Sequence, residues 1–280
     1  MTTHQSQIEL PDLRIVPLAN LLLHEQHDSG RSAPLITRLK AEGVLKNPPV
    51  VAPIGDERYV VLDGANRVTA LLELGLPHIA VQSVDYEDPE LVLDTWYHLV
   101  SNFPRNEFNR SLGLLPGVKV AVSELMHARA ELARRAALAY FALPNNGVFT
   151  ISTEGDLHQR TQVLNDIVDI YKTQGRIHRA NTDHLEQLLP YYDEVTALVV
   201  FPRYQPAEIM ELARVGARLP AGITRHIIPR RALRINMPLS LLSDARSLDE
   251  KNEWLQDWLK LKIAGKEARF YQESTFLFDE

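Results

Sequence analysis

The 280-residue sequence predicts an α+β fold, and three features carry that expectation. "PPVVAPI" (48–54) and "ERYVVLD" (57–63) are apolar runs on either side of "GDE", the pattern of a β-hairpin. "ANRVTALLELG" (65–75) follows at once, with Val68, Leu71, Leu72 and Leu74 on roughly one side of a helix and Gly75 as its stop. "LRIVPL" (13–18) and "HIAVQSVDY" (78–86) read as strands before and after them.

The remaining segments fit that class. "APLITRLKAEGVL" (33–45) is apolar at 35, 36, 39 and 44, which predicts a helix ending near Gly43. The first 90 residues therefore read strand, helix, two strands, helix, strand, a compact module. "DPELVLDTWYHLV" (88–100) predicts a further helix feeding the polar break "SNFPRNEFNR". "AVSELMHARAELARRAALAYFAL" (121–143) begins with helical periodicity and ends in "AALAYFAL", which suits a strand. "GVFTIST" (147–153) is a strand, "LHQRTQVLNDIVDIYKTQG" (157–175) an amphipathic helix stopping at Gly175, "EVTALVVFP" (194–202) a buried strand and "AEIMELARVGARLP" (207–220) a helix. The tail predicts a helix over 248–266 and a final strand, "RFYQESTFLF", over 269–278. No repeat or flexible linker interrupts the chain, so a division near 105 separates a module, 1–105, from a second mixed α/β lobe, 106–280, that completes the module's site.

Composition excludes some classes. At 45% hydrophobic and 24% charged, the chain is ordinary for a globular protein with a core. A net charge of −6 argues against a dedicated DNA binder but leaves room for a local basic patch. With no cysteine there are no disulfides, thiolate metal sites or cysteine nucleophiles. The N-terminus has no basic segment followed by an apolar one, and no apolar run is long enough to span a bilayer, so a cytoplasmic protein without membrane partners is expected.

Four stretches carry chemistry. At Asp63-Gly64 a strand turns into a helix. The first amides of a helix have no intrahelical partner, and the helix dipole adds positive charge there. Arg67 brings a planar fork suited to phosphate, and Gly64 lets a ligand come close. A phosphate cradle is one reading of this turn, with Asp63 reaching the phosphates through a divalent cation; a plain turn with Asp63 as helix N-cap is the other. "LLLHEQHD" (21–28) crowds His24, Glu25, His27 and Asp28, either as a polar loop or as a metal pair from His24 and Asp28. "DTWYHLV" (94–100) reads as a core Trp96 with an exposed His98. "RLPAGITRHIIPRRALRINMPLSLL" (218–242) is the densest positive stretch, with Arg218, Arg225, His226, Arg230, Arg231 and Arg234, and with Ile227, Ile228, Leu233 and Ile235 as buried strand positions. It could meet nucleic acid or the carboxylate and phosphate groups of a small ligand, or be a solvated edge.

Taken in order, "LRIVPLANLLLHE", "NPPVV", "YVVLDGANRVTALLELG", "TWYH", "YQPAEIMELARVGARLPAGITRH" and "RINMPLSLL" resemble the ParB-like free L-serine kinases. The resemblance covers most of the chain except roughly 105–190, and "LPAGITR" is its most particular part. It implies a ParB/sulfiredoxin-like N-terminal module that binds nucleotide. The family's D-G-x-H-R motif reads Asp63-Gly64-Ala65-Asn66-Arg67 here, with asparagine where histidine is usual. Asn66 can donate a hydrogen bond to phosphate but carries neither charge nor a proton to transfer. The resemblance implies that Gly64, Ala65, Asn66 and Arg67 bind the nucleotide, Asp63 binds Mg²⁺ and serves catalysis, and Glu25 is the general base toward serine. It further implies that Trp96, Thr224, Arg225 and His226 hold the amino acid, with Arg225 on its carboxylate or on the transferred phosphate. ATP or ADP would be the donor and free L-serine the acceptor.

A ParB-type nucleotide-binding DNA regulator without kinase activity would carry a G-E-R-R-like motif and a helix-turn-helix, which this chain lacks, so DNA is a secondary partner. Sulfiredoxin chemistry needs a cysteine in the phosphate loop and is discarded.

Overall fold

The computed structural model describes residues 10–27 and 29–271. β1 (Asp12–Pro17) and β2 (Leu21–Leu23) open the chain, followed by α1 (Ser29–Glu42), which begins four residues before the expected helix and stops at Gly43, φ +67°. After the short β3 (Val44–Leu45), β4 (Val50–Gly55) and β5 (Arg58–Asp63) form the expected antiparallel hairpin. α2 (Ala65–Glu73) buries Val68, Ala70 and Leu71 and gives way to left-handed Gly75, and β6 (His78–Ser83) follows.

The helix expected over 88–100 is instead two strands, β7 (Val92–Thr95) and β8 (Tyr97–Ser101). All five residues of β8 are buried. A short apolar run buried on both faces has no period to separate strand from helix. The "polar break" contains α3 (Arg105–Gly113), a surface helix that buries only Phe108 and Leu112. β9 (Val118–Ser123) takes the first residues of the helix expected from 121, ahead of α4 (Leu125–Ala133) and the expected strand, β10 (Ala139–Ala142). β11 (Val148–Thr153), α5 (Leu157–Lys172), β12 (Arg176–Ala180), α6 (Leu185–Leu188), β13 (Val195–Val200) and α7 (Pro206–Val215) complete the middle of the chain. Capping boxes start α5 (Asp156 with Gln159) and α7 (Gln205 with Glu208), each satisfying otherwise orphan amides. β14 (Thr224–Ile227), β15 (Met237–Pro238), α8 (Leu239–Ser243) and α9 (Leu248–Ala264) close it. Of the buried strand positions expected in the basic stretch, only Ile227 lies on a strand, and it is 45% exposed on β14, which among the described residues pairs with β7 alone; Ile228, Leu233 and Ile235 lie in the irregular segment after β14, where Ile235 is buried, Ile228 half-buried and Leu233 47% exposed. Residues 269–271 form no strand, and the rest of the strand expected over 269–278 lies outside the described residues.

By its internal contacts the chain forms two compact units. One is Met1–Leu21, Ser29–Glu90 and Ile228–Glu280; the other is Leu22–Asp28 and Leu91–Ile227. The first holds a sheet in the order β1-β6-β4-β5, with β2 in fifth place where the chain leaves the unit. β4 and β6 are parallel, whereas β1 and β6, and β4 and β5, are antiparallel. Its core is aliphatic: Ile15, Val50, Val51, Val60, Ile79, Ala80 and Val81 are essentially inaccessible. α9 is fastened to β1 by Asn252, whose side chain accepts from Ile15 N at 2.8 Å and donates to Ile15 O at 2.8 Å. Beside it, fully buried Lys251 donates to Leu242 O and Asp244 O, both at 3.0 Å, lies 3.1 Å from His78 Nδ1 and pairs with the Asp244 carboxylate at 3.5 Å, so its buried charge is both paired and hydrogen-bonded.

The second unit holds a six-stranded sheet, β12-β8-β13-β10-β11-β9, with central β8, β13 and β10 almost wholly buried. Phe108, Tyr171, Phe141 and Phe201 fill the core around it. Among the described residues, no helix is long and apolar enough to cross a membrane.

Candidate active site

Each unit carries one group of the residues singled out above. In the first, β5 ends at Asp63 and α2 begins at Ala65, with Gly64 as N-cap at φ +100°. Asp63 is therefore not the cap. A side chain at Gly64 would bring a Cβ to 3.0 Å from Pro49 Cβ and 3.1 Å from Pro49 Cα, so both the backbone angle and the available space require glycine. Arg67, in the first turn of α2, folds back on this corner. Its Nη1 donates to Asn47 O at 2.9 Å and Pro48 O at 3.1 Å, and its Nη2 to Asp63 Oδ2 at 2.8 Å. Arg231 donates to the same carboxylate oxygen. Burial works to raise the Asp63 carboxyl, but the two guanidinium charges outweigh it and hold Asp63 below the usual carboxylate range.

This corner sets two guanidinium groups at a helix N-terminus, charge of the sign a phosphate needs. As arranged it is less suited to a cation: Asp63 is shared between two arginines, and a divalent ion there has to displace at least one. Among the described residues, no group of three His, Asp or Glu side chains is set to hold a metal. Asp28, half of the alternative His24 metal pair, lies outside the described residues.

In the second unit, Glu25 lies next to the 219–224 turn. Gln26 N donates to Leu219 O, and Leu219 N to His24 O, each at 2.8 Å. The Glu25 carboxylate accepts from Gly222 N at 2.9 Å, and from both Thr224 N and Thr224 Oγ1 at 2.6 Å. Three of roughly four lone-pair positions of a carboxylate are thus filled by donors. Gly222, at φ +76°, is the residue that lets the turn present its amide. Arg179 lies directly over it: a Cβ there would fall 2.0 Å from Arg179 Nη2.

Thr224 is also bound by His24, whose Nε2 is 2.9 Å from Thr224 Oγ1. His24 meets His226 edge to face, with ring centres 5.7 Å apart. Arg225 lies over the Trp96 ring at 4.3 Å, and Trp96 N donates to Ile223 O at 2.7 Å, where β7 pairs with β14. The 94–100 reading is reversed on both residues: His98 is 3% exposed, while Trp96 is only half-buried and meets Arg225. His98 Nδ1 is 2.9 Å from the Tyr171 hydroxyl, and burial with nearby Arg179 pushes its pKa down to about 3.

Within the second unit, then, Glu25 and Thr224 meet, as do Trp96 and Arg225, with His226 alongside through His24. Within the first, Asp63 and Arg67 meet. Sequence reasoning did not single out Arg231, His24 or Gly222 in these roles. All three stood in stretches flagged for charge or turn chemistry, but their partners are distant in sequence.

Comparison with known proteins follows the same line. No family model matches the chain. The ATP-dependent L-serine kinase SbnI of Staphylococcus aureus is 25% identical over 272 residues, covering 96% of this chain and 97% of that one. The ATP-dependent L-serine kinase of Staphylothermus marinus is 25% identical over 235 residues, covering 81% and 90%. The ADP-dependent L-serine kinase SerK of Thermococcus kodakarensis is 25% identical over 234 residues, covering 82% and 93%. The chain is a relative of the L-serine kinases. Among solved structures, a glutamate-to-glutamine mutant of a free serine kinase in complex with AMP superposes with a TM-score of 0.72 at 19% identity, covering 86% of this chain and 98% of that one. SbnI with a C-terminal truncation gives 0.68 at 23% identity, covering 91% and 97%. The mixed α/β fold of this serine-kinase relative is therefore one already seen in solved free serine kinases.

Proposed function

We propose that the protein is a kinase of free L-serine that moves a phosphoryl group from ATP or ADP to the serine hydroxyl, giving O-phospho-L-serine. The observation that carries this reading is the Glu25 carboxylate, oriented by Gly222 and Thr224. An alcohol is a poor nucleophile, and a fixed carboxylate takes its proton as the bond to phosphorus forms. Trp96, Thr224, Arg225 and His226 hold the amino acid, and the Arg225 guanidinium pairs with its carboxylate or with the transferred phosphate.

Asp63, Gly64, Ala65, Asn66 and Arg67 form the nucleotide side, in a ParB/sulfiredoxin-like module assigned to 1–105 that also carries Glu25 and Trp96, with 106–280 contributing the substrate residues Thr224, Arg225 and His226. Phosphoryl transfer is mostly positioning and charge neutralisation, which this cationic corner suits. Asp63 is the carboxylate assigned to Mg²⁺, which would add further neutralisation when bound with the nucleotide, once one of the two arginines has moved off that carboxylate. Cytoplasmic serine metabolism is the setting this reading assigns. Relatives named as serine kinases along 81–96% of the chain favour it over the DNA-regulator alternative.

The test is a donor and acceptor screen: purified protein with Mg²⁺, ATP or ADP, and serine, threonine or homoserine, read by mass spectrometry. Phosphoserine from one donor supports the proposal; no phosphorylated amino acid from any pair rejects it. A secondary DNA role predicts salt-sensitive duplex binding at submicromolar protein, and no shift at low salt removes it.

A further inference from the structure

The two arginines on Asp63 are held differently. Arg67 is tied into the corner by its contacts to Asp63 and to the carbonyls of Asn47 and Pro48, and so acts as a strut of the turn. Arg231 reaches Asp63 from the segment between β14 and β15, and its side chain is 28% exposed. The backbone on either side of it is pinned. Gln82, on β6 and 2% exposed, accepts from Ala232 N at 2.8 Å and donates to Arg230 O at 3.2 Å. Two residues on, Arg234 N donates to Asn47 Oδ1 at 2.8 Å, tying the segment to the same loop that Arg67 braces. Arg230 turns away to Asp88 at 3.1 Å and Glu90 at 3.7 Å. One flexible guanidinium is thus delivered to the Gly64 corner on a fixed base.

From this we infer that Arg231 is the guanidinium that takes the nucleotide's phosphate, and that Asp63 is its counter-ion until the nucleotide arrives. The inference rests on the nucleotide site proposed above and adds a residue to it. A guanidinium binds the oxygens of a di- or triphosphate by a two-pronged contact and gains more from a multiply charged anion than from one carboxylate. The exchange needs only side-chain rotation, because Gln82 and Asn47 hold the backbone. Arg67 keeps the corner folded throughout and leaves its carbonyl contacts intact. Gln82 is a positioning residue in this scheme.

The experiment measures ATP, ADP and adenosine binding, serine-kinase KM and kcat, and thermal stability for the wild type, R231A, R231K and R67A. R231A is expected to weaken ATP and ADP binding by roughly tenfold or more, to leave adenosine within about twofold, and to melt with the wild type. R231K keeps the charge without the fork and should recover part of the loss. R67A should lower the melting temperature. If R231A binds ATP and ADP as tightly as the wild type, the inference is wrong. It is also wrong if R231A weakens adenosine equally, since that marks a structural role. A wild type that binds nucleotide but phosphorylates no serine removes the proposed activity while the binding comparison still decides Arg231. A wild type that binds no nucleotide removes both.

Discussion

Replacing Glu25 by glutamine separates the two things this carboxylate does. In the structure it accepts three hydrogen bonds, one on Oε2 and two on Oε1. Glutamine keeps the shape but turns one oxygen into a donor. The smaller loss puts the new amide nitrogen against Gly222 N, giving donor against donor in place of a 2.9 Å bond. A hydrogen bond to a charged group contributes about 1.5–3 kcal/mol, and the remaining bonds weaken with the charge. For a chain of this size the melting temperature should fall on the order of 5 °C. Removing a general base costs a further ~10²–10⁴-fold in kcat. ATP or ADP affinity should stay within about twofold, since the proposed nucleotide contacts are at Asp63, Arg67 and Arg231. Stopped assays for phosphoserine, nucleotide titration and a melting curve measure all three. Thr224→Val controls for a disturbed turn: it removes one donor but no base and should lower kcat no more than about tenfold. If Glu25→Gln turns over within threefold of the wild type while its melting point falls, Glu25 is a clamp on the 219–224 turn and not the base.

Three further outcomes follow from the geometry. Gly64→Ala forces a Cβ against Pro49 at 3.0 Å with φ at +100°, so it should cost about 1–3 kcal/mol and abolish nucleotide binding; wild-type melting and binding would refute the steric argument. Trp96→Ala removes the ring beneath Arg225, 4.3 Å away, and should raise the serine KM roughly tenfold with the nucleotide KM unchanged, which a two-substrate steady-state analysis measures. Burial holds His98 at about 3, whereas an unfolded histidine titrates near ~6.5. Between those values the unfolded chain binds the extra proton, so stability rises with pH across the window and is lost as pH falls through it, by up to about 1.4 kcal/mol per pH unit. Denaturant titrations at stepped pH should show this slope, and His98→Gln should flatten it; an unchanged slope means other groups set the acid limit.

Legibility in the sequence followed local cause. The hairpin at 50–63, α2, α5 and α9 were readable because turn residues, helical stripes and caps lie within a few residues of one another. β7 and β8 were read as helix because a fully buried strand such as Tyr97–Ser101 has no polar alternation. α3 reads as a polar break in the sequence because Phe108 and Leu112 are the two buried residues on an otherwise polar surface helix. At the site, Asp63, Gly64 and Arg67 form one local motif; Glu25 and Thr224 stand in stretches marked out by their own charge and turn residues, but the resemblance alone implies their roles. Arg231 was visible only as one of several arginines, since its meeting with Asp63 spans 168 positions of sequence. The same distance hid the Glu25–Gly222 bond, 197 positions apart. Such pairings are set by tertiary packing, which no local pattern encodes.

The central claim is that this chain joins a phosphate from a nucleotide to the hydroxyl of a free amino acid. Phosphorus NMR of one reaction, with wild-type protein, Mg²⁺, L-serine and first ATP, then ADP, follows donor and product together. The account predicts a phosphomonoester resonance matching authentic phosphoserine, growing in step with loss of the donor's terminal phosphate and absent without serine. Donor consumption that yields only inorganic phosphate, at the same rate with and without serine, would contradict it.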